Sequence, residues 1–409
     1  MSSLSAANTE FCLDLFKELS KQNAGRNVFF APVGLSAALA MVMLGARGDT
    51  AAQMEKVLHF NEIRTSGSGD SYETGPLADQ KMKPLTATKL QCDERGNVHA
   101  QFQALLLQIN KCSNNYVLSI ANRLYGAVGF EFIQQYLCST KQLYHSELES
   151  VDFLNGIEKA RETINSWVER QTNGKIQDLF PCGALDPSTV LVLVNAIYFK
   201  GKWLSRFKKE YTKELPFWLN KKECKNVPMM FQNGKFKLAR IQEPRLQVLE
   251  LPYEGGELSM IIMLPEDQDA CLEELGSSLT YKKIEEWTTF SNTCPLKVDV
   301  YLPRFKLEQR YELKTTLQSM GMTDTFARGK ADFTGISEKT GLFVSKVTHK
   351  VYVEVNEEGT EAAGATGIGI APMSVHFPVV FKADRPFFFL IRNNSAANSI
   401  LFFGRYISP

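Results

Sequence analysis

One stretch constrains this chain more than any other, the run from Val351 to Ala371. Val351, Val353 and Val355 alternate with Tyr352 and Glu354, the period of a half-buried strand. After Glu358 the large side chains nearly vanish. From Gly359 to Ala371 only Ile368 and Ile370 could anchor in a core, so the run cannot offset the entropy of ordering itself and is expected as an exposed loop. Yet the alternation persists. Thr360, Ala362, Gly364, Thr366, Ile368 and Ile370 fall on one face of an extended chain, with Glu361 on the other. The stretch therefore suits two states, a loop and a strand laid between other strands. Its glycines weaken that strand by roughly 0.5–1 kcal/mol each relative to Ala, while each ladder hydrogen bond returns on the order of 1 kcal/mol.

The rest of the chain has to supply a sheet able to receive it. A length of 409 residues would ordinarily suggest two domains, but no linker-like shift in composition divides the sequence. The net charge of +1 carries no general preference for nucleic acid or for an acidic surface. Eight cysteines (Cys12, Cys92, Cys112, Cys138, Cys182, Cys224, Cys271, Cys294) are scattered without a C-x-x-C pair, which reads as reduced thiols of a cytosolic protein and not as a disulfide scaffold.

Along the chain, Phe11, Leu15, Phe16 and Leu19 predict an amphipathic helix within Met1–Asn23. Glu10, Asp14 and Glu18 interrupt it too often for a signal peptide. Val28 to Ala46 carries no charge and is long enough to span a membrane. Pro32 and Gly34 favour instead a strand turning into a buried helix. Residues 61–97 have no apolar period and predict a mobile, solvated insertion between two helices. A helix is expected from Val98, a strand over Asn115–Gly126, and a helix over Ile164–Ile176 ended by Gly174. Thr189–Phe199 is continuously apolar, as for a strand buried on both faces. Leu246–Tyr253, Leu258–Pro265, Arg385–Ile391 and Ile400–Arg405 read as strands, and Tyr311–Met322 as a helix. Lys200 to Arg245 is locally basic; Lys221, Lys222 and Lys225, without aromatic interleaving, read as solvated strand edges.

Enzyme motifs are missing. There is no G-x-S-x-G, H-E-x-x-H or G-x-x-x-x-G-K-[ST]. Gly364-Ala-Thr-Gly-Ile-Gly follows a strand, but Glu354, Glu357, Glu358 and Glu361 would repel a phosphate and Pro372 stands where a helix should start. The five histidines lack metal-ligand spacing, so no metal or cofactor is expected.

Several strings carry a family resemblance: Glu357-Glu-Gly-Thr-Glu-Ala-Ala-Gly-Ala-Thr, Asn27-Val-Phe-Phe-Ala-Pro, Lys200-Gly-Lys-Trp and the closing Arg385-Pro-Phe-Phe-Phe-Leu-Ile. The chain resembles the ovalbumin-like, intracellular serpins from end to end. That resemblance implies an α+β serpin fold: one large domain with a mixed main β-sheet, two smaller sheets and about nine helices. It implies a reactive-centre loop at 356–381, with a hinge at Gly359, Thr360, Glu361, Ala362, Ala363, Gly364 and Ala365. Counted as the family counts, the reactive bond lies between Met373 and Ser374, with Ala371 and Pro372 as neighbouring subsites. Asn195, Trp203 and His349 match the region where the sheet opens, while Ala31 and Gly34 stand where the family usually has serines.

The implied function is a suicide-substrate inhibitor of chymotrypsin-like or elastase-like serine proteases. Its partner would be the target protease, in a covalent complex, with no nucleic acid or membrane partner; a cytoplasmic monomer is expected, and some such relatives are exported by an uncleaved internal signal. The alternatives are a non-inhibitory serpin with a storage, chaperone or binding role, and an inhibitor of papain-like cysteine proteases.

Overall fold

The computed structural model describes residues 3–63, 98–111, 113–268, 270–290, 293–358 and 378–409. Most of the expected insertion and loop, with the hinge and the reactive bond, lies outside them. Among the described residues there are nine α-helices and fourteen strands.

The first helix, Leu4–Gln22, starts where Ser3 accepts a hydrogen bond from the Ala6 N–H, and it buries Phe11, Leu15, Phe16 and Leu19. The uncharged run that follows becomes the strand Val28–Phe30 and the helix Pro32–Met43, every residue of both buried. Pro32 takes the first helical position, where a missing N–H is harmless. No helix among the described residues is long and apolar enough to cross a membrane.

Two sheets pack around this helix. One has five strands in the order Phe305–Glu312, Val344–Val355, Leu191–Gly201, Tyr116–Ala127 and Glu147–Val151. Its central pair, Val344–Val355 against Leu191–Gly201, runs parallel from Val344↔Leu191 to Val353↔Phe199. The outer neighbours of that pair, Phe305–Glu312 and Tyr116–Ala127, are antiparallel to it. The two smaller sheets expected from the sequence are joined, because the long strand Glu223–Ile241 serves both. Its second half pairs with Leu246–Pro252, and its first half with Leu296–Pro303 and Lys213–Asn220. Together they form one nine-stranded sheet, eight strands in a single path with Lys213–Asn220 branching off Glu223–Ile241.

Strand Leu191–Gly201 shows how the five-stranded sheet is buried on both faces. Leu191, Leu193, Ile197 and Phe199 enter the main core, while Val192, Val194, Ala196 and Tyr198 enter a second, smaller one. The helix Ile157–Gln171 roofs that second core through Ala160, Ile164, Trp167 and Val168. It begins earlier than the sequence reading placed it, and Gly174 lies just beyond its end with φ of 73°. Tyr352 explains a second difference. It too is buried, beneath this roof, so the strand expected to be half-buried is covered on both sides.

The helix expected over Tyr311–Met322 shrinks to Lys314–Ser319, and Tyr311 belongs to the strand Phe305–Glu312. Ladder pairing to Thr348 and His349 overrides the helical spacing there. Lys221 and Lys222 form the exposed tip of the hairpin between Lys213–Asn220 and Glu223–Ile241.

Candidate functional site

Two constellations gather the site residues that fall within the described chain. The first holds the point where Val344–Val355 gives way to residues 356–358. Trp203 Nε1–H donates to the Asn356 carbonyl at 2.9 Å, and the Trp203 and Phe207 amides donate to the carbonyls of Glu358 (3.3 Å) and Glu357 (2.9 Å). Trp203 can hold that position because its ring stacks on Tyr253, centroids 4.5 Å apart and 10° from parallel. Gly201 makes the stack possible: a Cβ there would sit 2.6 Å from Tyr253 Cδ1 and 2.7 Å from Phe199 Cζ.

The two glutamates are held by their side chains as well. Glu357, only 3% exposed, accepts from Thr212 Oγ1 at 2.8 Å and faces Arg304 Nη1 at 3.5 Å. Glu358 pairs with Lys209 Nζ at 2.6 Å, and that hydrogen bond holds its carboxyl below the usual range. Residues 356–358 are thus tied down by four side chains, Trp203, Lys209, Thr212 and Arg304, and by the backbone amides of Trp203 and Phe207.

The second constellation lies under the parallel pair. The Ala31 N–H donates to His349 Nε2 at 3.2 Å, which leaves the imidazole proton on Nδ1. Nδ1–H then donates to Asn195 Oδ1 at 2.5 Å. Asn195 Nδ2 donates to Asn122 Oδ1, and Asn122 Nδ2 reaches the Gly34 carbonyl at 3.5 Å. The circuit starts at the N-terminus of helix Pro32–Met43, crosses three neighbouring strands and returns to the same helix. Burial pushes the His349 imidazole down to about 3, so it is neutral.

Sequence reading placed Trp203, Asn195 and His349 near the opening of the sheet, and the structure brings each to one of these two clusters. It missed Asn122 and Tyr311. Tyr311 stacks on His349 with centroids 6.2 Å apart, and its hydroxyl accepts from the Phe29 N–H at 3.2 Å. Asn122 is a polar residue at an inward position between Ile120 and Leu124, a break in pattern that was readable.

The arrangement has a chemical meaning only as a latch, since neither cluster presents a nucleophile with its base, and among the described residues no group of His, Cys, Asp and Glu could hold a metal. Comparison with known proteins supplies the family. The family profile described as Serpin (serine protease inhibitor) matches residues 6–409. The chain is a serpin.

It is 47% identical to human Serpin B11 over 409 residues and 47% identical over 413 residues to the leukocyte elastase inhibitor of Sus scrofa, covering 100% of both chains in each case. The solved structure of uncleaved ovalbumin is matched over 100% of both chains with a TM-score of 0.85 at 38% identity. These relatives place it in the ovalbumin-like branch. By the family's description its members are protease inhibitors, not enzymes.

Ala31 and Gly34 lie at the foot of the circuit. Ala31 is the N-cap of helix Pro32–Met43 and offers no side-chain acceptor. A Cβ on Gly34 would lie 2.1 Å from Ile197 Cδ1 and 3.3 Å from Asn195 Nδ2. Ile197 therefore fills the space that any side chain at position 34 would use, and the circuit closes through backbone groups at both ends.

Proposed function

We propose that this serpin is a suicide-substrate inhibitor of serine proteases with chymotrypsin-like or elastase-like specificity, cleaved between Met373 and Ser374. The observation that carries the reading is the parallel pairing of Val344–Val355 with Leu191–Gly201, with the chain leaving the top of the first strand at Glu358. A segment that turns back there and enters between the two would run antiparallel to both. One parallel ladder would be exchanged for two antiparallel ones, the more stable pairing per residue. Thr360, Ala362 and Gly364, on the face that would enter, are all small, and the charged Glu361 falls on the opposite face.

In the proposed reaction the protease serine Oγ bonds to the Met373 carbonyl carbon, the Met373–Ser374 C–N bond breaks, and the Ser374 amine leaves with a proton. Insertion of the freed segment then carries the ester-linked protease away and distorts its catalytic groups before water can deacylate it. The six thiols among the described residues are all unpaired, which fits the cytoplasmic, reducing location proposed for it.

The test uses the intact protein with chymotrypsin and with pancreatic elastase. Expected are a covalent complex that survives boiling in detergent, and a large rise in melting temperature once the loop is nicked. Cleavage after Met373 with no complex and no thermal gain overturns the reading in favour of a non-inhibitory serpin.

A further inference from the structure

One cavity among the described residues plays no part in either cluster. It lies against the C-terminal half of helix Leu4–Gln22, with a volume of about 670 Å³, within the range of small-molecule sites. Phe16, Val57, Met320 and Ala24 give it an apolar surface, and its walls come from four separate stretches of sequence.

Its polar groups are unevenly committed. Asp14 and Glu62 both engage His59, at 2.9 and 3.4 Å. Glu18 pairs with Lys21 at 2.5 Å and accepts from Ser319. Glu273 accepts from the Gly25 N–H at 3.0 Å. Every carboxylate on the wall thus has a partner. The opposite holds for two donors. Lys56 on the rim has no ion-pair partner among the described residues, and Lys17 reaches Asp14 only at 3.8 Å. Ser20 Oγ is buried and makes no hydrogen bond. A buried hydroxyl without a partner costs about 1–3 kcal/mol, so the cavity wall has an unmet demand for an acceptor.

We propose that this cavity is a binding site for a small amphiphilic anion: an apolar body against Phe16, Val57 and Met320, with a carboxylate or sulfonate that accepts from Ser20 Oγ and faces Lys56. The proposal does not depend on protease inhibition.

Two probes of the same shape test it. 1-Anilinonaphthalene-8-sulfonate carries the anion, and N-phenyl-1-naphthylamine is the same body without it. Fluorescence titration of the intact protein is expected to show one saturable site that binds the sulfonate at least about fivefold more tightly, the size of one exposed charge contact. Lys56→Glu should remove that preference and leave the neutral amine unchanged. Ala24→Trp, on the exposed rim, should block both probes without touching the core. Equal binding of the two probes, no saturable site, or undiminished binding to the Ala24→Trp variant would each overturn the assignment.

Discussion

His349 Nδ1 lies 2.5 Å from Asn195 Oδ1, directly across the parallel seam of the five-stranded sheet. The pair bridges the two parallel strands, so any strand entering that seam would have to break this bond. Asn195→Ala would leave the fully buried Nδ1–H without an acceptor. Chemical denaturation should show a loss of about 1–3 kcal/mol. A loss within error would mean that the ring finds another acceptor.

The same histidine sets a pH dependence. Its folded value, about 3, lies below the unfolded 6.5, so below pH 6.5 the unfolded chain takes up a proton that the folded one refuses. Stability is therefore complete above pH 6.5 and falls as pH drops toward 3. The limiting slope is about 1.4 kcal/mol per pH unit for each such group. His99, lowered to about 4 by burial, adds a second contribution of the same sign, while Glu312, raised by burial, acts oppositely at lower pH. Between pH 6 and 5 the His349→Gln variant should lose stability less steeply than the parent, by an amount approaching one group's slope. Identical slopes would mean that His349 is protonated in the folded protein.

At the foot of the latch, Ala31 and Gly34 should respond in opposite ways to added side chains. Ala31→Ser supplies the N-cap acceptor that the helix lacks, and is expected to stabilise by about 1 kcal/mol. Gly34→Ala drives a methyl into Ile197 and is expected to destabilise by about 1–3 kcal/mol. Thermal unfolding of the two single variants separates them, and a shift of the same sign in both would contradict the geometry.

How much of this was legible in the sequence differs from residue to residue. Helix Leu4–Gln22 and strand Leu191–Gly201 could be read because one physical signal dominates each, a 3.6-residue apolar stripe and an unbroken apolar run. Trp203 and His349 were reached through family wording, not through chemistry. Tyr311 was misread because the i, i+4 spacing of Leu313 and Leu317 just after it is helical, and only the ladder to His349 and the Phe29 hydrogen bond, both made at long range, pull Tyr311 into a strand. The Gly34–Ile197 contact could not be read at all. It is a fact of packing between a helix and a strand far apart in the chain.

Glu357 supports a prediction about the root of the loop. Glu357→Gln keeps an oxygen for Thr212 and loses only the charge facing Arg304, which is half exposed, so about 1 kcal/mol is expected. Glu357→Lys places a buried ammonium beside the Arg304 guanidinium and should cost roughly 3–5 kcal/mol. Exchanging the charges, with Glu357→Lys and Arg304→Glu together, should recover part of the loss in urea unfolding. No recovery would show that Thr212 and the surrounding packing, not the ion pair, hold this glutamate.

Met373 decides the target if the proposed bond is correct. An unbranched apolar side chain fills the pocket of a chymotrypsin-like or elastase-like protease and gives an acidic pocket nothing to bind. Met373→Arg should therefore move inhibition toward trypsin, measured as the ratio of second-order rate constants for trypsin and chymotrypsin. Hydrogen peroxide offers an independent check, because it converts the thioether to a polar sulfoxide that fits an apolar pocket poorly. Treated parent protein should inhibit chymotrypsin more slowly, whereas the Met373→Arg variant should keep its rate against trypsin. Unchanged selectivity in the variant, or equal sensitivity of both proteins to peroxide, would place the cleaved bond elsewhere in the loop.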